Sequence, residues 1–186
     1  MENDAVAPAF AAAQKAAALS AGATPKERAL IAALAQRYGA SPDADRATLD
    51  KAYADAMRDV AKNYPADNEV QSLFAEALMD LQPWDYWEAD GRTGKGNTAE
   101  IVQTIERVLK REPTHAAATH LYIHMVEASA TPDRAKAYAD RLGAQMPAAG
   151  HIVHMPSHLY YRLGLWKESI DANIAAVKAG EAYLAS

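Results

Sequence analysis

Three prolines close helix-forming runs in this 186-residue chain, in AKNYPADN, LKREPTHA and GAQMPAAG, and their spacing constrains the fold more than any other feature. Pro113 and Pro147 are 34 residues apart, whereas Pro65 and Pro113 are 48 apart. The surplus of 14 equals the length of one irregular stretch, PWDYWEADGRTGKG at 83–96. Proline lacks an amide hydrogen and disfavours continuing a helix, so its recurrence at a fixed interval marks a repeated supersecondary unit.

The helices can be placed from their starts. Thr24-Pro25-Lys26-Glu27 offers a capping hydroxyl, proline at the first helical position and a glutamate at the third, which predicts a helix from Pro25 to Tyr38 stopped at Gly39. Ser41-Pro42 and Thr131-Pro132 repeat the signature, and Asn97 with Glu100 repeats its capping pair ahead of IVQTIERVL. Residues 4–20 and 67–81 read as further helices. Alanine supplies about a quarter of the chain, and its helix propensity is the highest of any residue. The expectation is an all-α protein of short antiparallel helical hairpins.

Composition removes several function classes. The chain has no cysteine, so disulfides, thiolate metal sites and thiol nucleophiles are excluded together. A net charge of -5 with acids and bases interspersed predicts no nucleic-acid partner. No apolar run reaches membrane-spanning length, and MENDAVAPAF has no export-signal pattern, so a soluble cytoplasmic or periplasmic chain is expected.

A 34-residue helical-hairpin period resembles the tetratricopeptide repeat. In the last repeat Tyr160, Gly164, Trp166, Ala176 and the preceding Pro147 fall at that family's Tyr, Gly, Tyr, Ala and Pro positions, while Ser169 and Asn173 depart from its usual small residue and aromatic. The resemblance implies one right-handed helical solenoid over residues 1–186, with repeats at about 24–65, 66–113 (interrupted by 83–96), 114–147 and 148–186. More narrowly, HLYIHMVE and HIVHMPSHLYYRLG resemble strings in longer bacterial tetratricopeptide-repeat proteins. That implies a fragment of a longer array whose C-terminal end packs on further repeats or a partner, and implies no activity.

The histidines fall in the phase set by the prolines. His120 and His154 are 34 residues apart, as are His124 and His158, so His-x3-His occurs twice at equivalent positions. Residues i and i+4 share a helix face. In the tetratricopeptide family the second, fifth, ninth and twelfth positions of the first helix line a concave groove. By that resemblance the groove carries Ala117 and His151, His120 and His154, His124 and His158, and Glu127 and Tyr161, with Glu76 approaching from the preceding repeat and His115 at a bordering loop edge. Neutral imidazoles with a carboxylate suit Zn, Cu, Ni or Fe, so His120, His124, His151, His154, His158 and Glu127 form the candidate metal set. Glu127 has three candidate roles: ligand, orienting partner of an imidazole, or general base towards metal-bound water. A zincin His-Glu-x2-His motif is absent.

Pro156 lies between the ligands of the second pair. Either it kinks a helix running through it, or the helix begins there and leaves His151 and His154 on the approach segment. The 83–96 segment, with Trp84 and Trp87, is expected to cover the groove or to pack on a neighbouring helix. Its GRTGKG lacks the phosphate-loop spacing. Tyr161 and Arg162 complete the candidate ligand groove. Three function classes remain open: a metal-bearing binding or scaffold module, a metal-dependent hydrolase or oxidase acting on a small molecule with Glu127 as base, and a metal-free peptide- or protein-binding array.

Overall fold

In the computed structural model, which describes residues 3–185, the alanine-rich run forms α1 (Asn3–Leu19). Thr24 then opens α2 (Pro25–Ala35) with the expected capping box: its hydroxyl accepts from the Glu27 amide at 3.3 Å, and the Glu27 carboxylate accepts from the Thr24 amide at 2.8 Å. The helix ends three residues short of Tyr38, because the Gln36 and Arg37 amides turn to the carbonyls three residues back.

Ser41-Pro42 does not start a helix, contrary to the sequence expectation. Its hydroxyl accepts only from the Asp43 amide, whereas Asp45 accepts from both Ala47 and Thr48 amides and opens α3 (Arg46–Asn63). A carboxylate that satisfies two of the orphan amides outcompetes the hydroxyl upstream. Asp67 caps α4 (Asn68–Met79) in the same way, through the Val70 amide. Tyr53, Ala54, Met57, Val60 and Ala61 form the buried stripe of α3, and the Gln71 amide of α4 donates to the Ala61 carbonyl at 2.9 Å. These helices, each packed on its sequence neighbour, make the first of two compact units, residues 1–81.

The second unit, residues 82–186, begins with the 83–96 segment, which is folded rather than irregular. A bridge pairs Trp87 with Gly94, and the Asp90 carboxylate accepts from the Arg92 and Thr93 amides at 2.7 and 2.8 Å to close the turn. Then come α5 (Thr98–Arg111), α6 (Ala116–Val126), a 3-10 turn (Pro132–Ala135) and α7 (Lys136–Gln145). Asn97 sits at the start of α5 but makes no side-chain cap, and Thr131 opens the 3-10 turn without one. Ile101, Ile105, Val108 and Leu109 of α5 face α6, whose Leu121, Tyr122, Ile123, Met125 and Val126 are buried.

The chain closes with α8 (Gly150–His154), α9 (Pro156–Arg162) and α10 (Trp166–Leu184). Gly164, at a φ of +74°, ends α9: its amide bonds to Tyr161 O and the Leu165 amide to Tyr160 O, the paired bonds of a left-handed C-cap. This reversal lays α10 along α8 and α9. Gly150 permits the close approach, since a Cβ there would lie 3.1 Å from the Ala176 carbonyl. The outer side of α10 leaves Trp166, Ile170, Ile174 and Val177 exposed. The protein is thus all-α, with helices packed mostly against sequence neighbours. Among the described residues no helix is long and apolar enough to cross a membrane.

Candidate metal centre

The site is built on α6, α8 and α9, all in the second unit. Burial of the opposite side of α6 fixes His120 and His124 on its half-buried face, with Glu127 at the helix end. Across from them, Met155 has helical dihedrals (φ -52°, ψ -39°), so residues 150–162 continue as one interrupted helix. The structure combines the two geometries open at Pro156: α9 starts at the proline, while Met155 stays helical, its amide bonding to His151 O and the His158 amide turning to Met155 O. Both His151 and His154 keep helical backbone; His151 and His158 meet the rings of α6, whereas His154 lies between them and bonds to Asn173 of α10.

Five imidazoles form a closed ring. Neighbouring ring centroids are 4.9 Å apart for His120 and His124, 5.4 Å for His124 and His158, 4.8 Å for His158 and His154, 6.3 Å for His154 and His151, and 5.0 Å for His151 and His120. Two pairs meet through Nε2: His120 with His151 at 3.1 Å, and His154 with His158 at 2.9 Å. Two groups have ligand atoms close enough to hold a metal ion, His120–His124–His151 and His124–Glu127–His158. His151, which has only Ala117 as its counterpart one period earlier, is therefore part of the cluster.

Oxygen acceptors fix the far side of three rings. Glu127 faces His124 Nδ1 through Oε1 at 3.3 Å and His158 Nδ1 through Oε2 at 2.7 Å. His154 Nδ1 faces Asn173 Oδ1 at 2.7 Å, and the Asn173 amide is oriented by donating its own N–H to Ser169 O at 2.8 Å. A ring whose Nδ1–H is committed to an oxygen carries its lone pair on Nε2. Ser157, whose hydroxyl lies 3.3 Å from His154 Nδ1, and Asn173 were not among the sequence candidates. The signal for Asn173 was its departure from the aromatic that the repeat pattern expects.

Charge follows from this geometry. Burial pushes His120 down to about 4, helped by His124, His151 and His158, and burial also lowers His151. These rings stay neutral, as ligation requires. Burial alone would raise Glu127, but the hydrogen bonds from His124 and His158 outweigh it and hold the carboxyl at about 2. The same bond from Glu127 raises His158 against the opposing effect of burial.

The remaining candidates divide. Trp84 stands edge-on to His124 with centroids 5.0 Å apart and is 69% exposed. It occupies a φ of +66°, the one non-glycine at positive φ among the described residues, at a turn closed by the Asp85 amide on Gln82 O. A bulky side chain there costs about 1–2 kcal/mol of backbone strain, and such strain collects at functional sites. Trp87 is half-buried and donates its indole N–H to Met125 O at 2.6 Å, pinning the 83–96 segment to the end of α6. Tyr161 and Arg162 line an open cleft of about 290 Å³ together with Glu127, His154, His158 and Asn173. A larger apolar groove of about 580 Å³ touches the ring only at His151.

Two residues stand elsewhere. His115 was expected at the groove edge, but it is only 6% exposed and caps α6, its Nδ1 accepting from the Ala118 amide at 3.2 Å. Its position at the start of a helix made it a cap, and the sixth histidine is outside the ring. Glu76 is exposed on α4 in the first unit and belongs to neither metal-capable group. No protein-family pattern, curated protein or solved structure matches this chain.

Proposed function

We propose that the chain is a tetratricopeptide-like binding or scaffold module whose histidine cluster holds a divalent transition metal, Zn, Cu, Fe or Ni. One observation carries the metal: His154 and His158 face each other through Nε2 at 2.9 Å while the Nδ1 of each is committed to an oxygen. With both Nε2 atoms unprotonated, rings so oriented oppose their lone pairs, and a cation between them relieves that opposition. Nitrogens bound at about 2.0–2.1 Å to one metal lie about 2.9 Å apart at a right angle and about 3.4 Å apart at the tetrahedral angle, which brackets the 3.1 Å of the His120–His151 pair and meets the 2.9 Å of the other.

The repeat architecture is supported by the 34-residue proline and histidine period and by helices that pack on their sequence neighbours. The exposed apolar side of α10 supports a surface for a further helix pair or a protein partner. A second reading, a metal-dependent hydrolase or oxidase, is favoured by the cleft beside His158, where Glu127 is placed as a base and Arg162 and Tyr161 could hold a small molecule.

The test is elemental analysis of untagged protein incubated with each metal at neutral pH and dialysed. At least one ion per chain is expected, lost when His120→Ala and His158→Ala are combined. Substoichiometric metal unchanged by that pair of substitutions overturns the reading, assigns the His154–His158 contact to a shared proton and leaves a metal-free peptide-binding array. An exchangeable water on the bound ion would favour the enzyme; a saturated protein shell would exclude it.

A further inference from the structure

Five imidazoles and one carboxylate exceed the shell of one tetrahedral ion, and the Nε2 atoms are already sorted into two pairs. The first pair, His120 and His151, has His124 as its third member in a metal-capable group. Trp84 stands against His124. The second pair, His154 and His158, opens on the cleft that also holds Glu127, Tyr161 and Arg162. His158 belongs to the other metal-capable group, with Glu127 and His124. The two sides are tied together by Glu127, one oxygen towards His124 and the other towards His158.

We infer that the cluster is a two-ion centre: a three-histidine seat made by His120, His124 and His151, with Trp84 beside His124, and a more open seat made by His154 and His158 at the mouth of the cleft. This rests on the metal reading above and deepens it. The three-histidine seat supplies three protein nitrogens and so leaves one position of a tetrahedral ion to a non-protein ligand. The open seat has two protein nitrogens, so its remaining positions fall to water or to an exogenous ligand. A small anion fits those positions, because the Arg162 guanidinium lines the same cleft and makes no hydrogen bond or ion pair with another described residue. Asn173 and Glu127 orient the open pair by fixing the two Nδ1 atoms and so act as positioning residues.

The probe is Cu(II), added to the full chain and followed by bound-copper analysis and electron paramagnetic resonance. Two Cu(II) per chain are expected, with dipolar broadening and a half-field signal as the second binds, since the two seats belong to one ring of adjoining imidazoles. His151→Ala and His154→Ala should each retain one ion, and azide should shift the spectrum of His151→Ala, which keeps the two-nitrogen seat, more than that of His154→Ala. One Cu(II) per chain, weakened alike by both substitutions, overturns the two-ion centre and leaves the metal reading intact. Two ions without magnetic interaction also overturn it, and that measurement on the unaltered chain does not depend on how the variants fold. Absence of bound copper overturns the inference together with the reading it rests on, and azide acting equally on both variants overturns the open seat.

Discussion

The two His-x3-His helices share a spacing and differ in how they hold it. α6 is unbroken, its far side buried by Leu121, Tyr122, Ile123, Met125 and Val126, and its two rings meet edge-to-face with centroids 4.9 Å apart. The segment of α8 and α9 is interrupted at Met155-Pro156, yet its pair converges to 2.9 Å between Nε2 atoms. Sequence spacing sets which residues share a face, while packing and capping partners decide what the rings do there. α6 is held by its core. On α8 and α9 the rings are held by hydrogen bonds to Asn173 and Glu127, and the backbone between them has a proline in place of one helical donor.

The largest effect should come from the packing that this comparison assigns to α6. Ile123→Ala empties a fully buried position and should lower stability by about 2–5 kcal/mol, read by denaturant unfolding. Ile170→Ala on the exposed side of α10 should stay within about 0.5 kcal/mol. Leu159, also fully buried, anchors α9, and a cost for Leu159→Ala below about 1 kcal/mol would break the claim that the interrupted helix has a packed anchor of its own.

Glu127→Gln comes next. It removes the carboxylate that orients one ring of each pair, and metal affinity should fall by about 10- to 100-fold in chelator competition. Asn173→Leu touches His154 alone and should cost less. An equal loss from both would contradict the shared role of Glu127.

Pro156→Ala restores an amide but trims a buried ring at the first position of α9, where proline is well tolerated, so stability should change little. If the interruption sets the position of His151 and His154, metal affinity should nevertheless drop by about 10-fold. Unchanged affinity would show the proline to be a tolerated kink.

A separate effect is on the pH dependence of the metal-free protein. His120 is held neutral, its folded value near 4 lying below the unfolded 6.5, so the unfolded chain binds the extra proton between these values. Its contribution is complete above about pH 6.5 and declines as pH falls towards 4. His158, raised by Glu127, works the other way, stabilising below its unfolded value and losing that contribution as pH rises through the folded one. His120→Gln should flatten the acid-side decline of the unfolding free energy, and a decline that persists unchanged would place its origin elsewhere.

Much of this was legible in the sequence because it depends on local chemistry or fixed periods. The Thr24 box, the helical composition and the meeting of His124 with His158 one period apart needed no tertiary information, whereas His120, one period from His154, meets His151 instead. The start of α3 was misplaced because Ser41-Pro42 and Asp45 compete for one helix, and only the number of amides each can reach decides between them. His115 carried no local mark separating a buried cap from a groove residue. His151 was found as a metal candidate but its partner was not, because that depends on how the chain passes Pro156, and the placement of Trp84 against His124 depends on a turn that holds a tryptophan at positive φ. Asn173 was visible only as a misfit to a pattern.

The central claim is that these imidazoles ligate metal ions, and X-ray absorption at the metal K-edge of the zinc-loaded, untagged chain tests it most directly. The account predicts a first shell of nitrogen at about 2.0–2.1 Å with the outer-shell scattering of at least two imidazoles per ion. A shell of oxygen without imidazole scattering would contradict it.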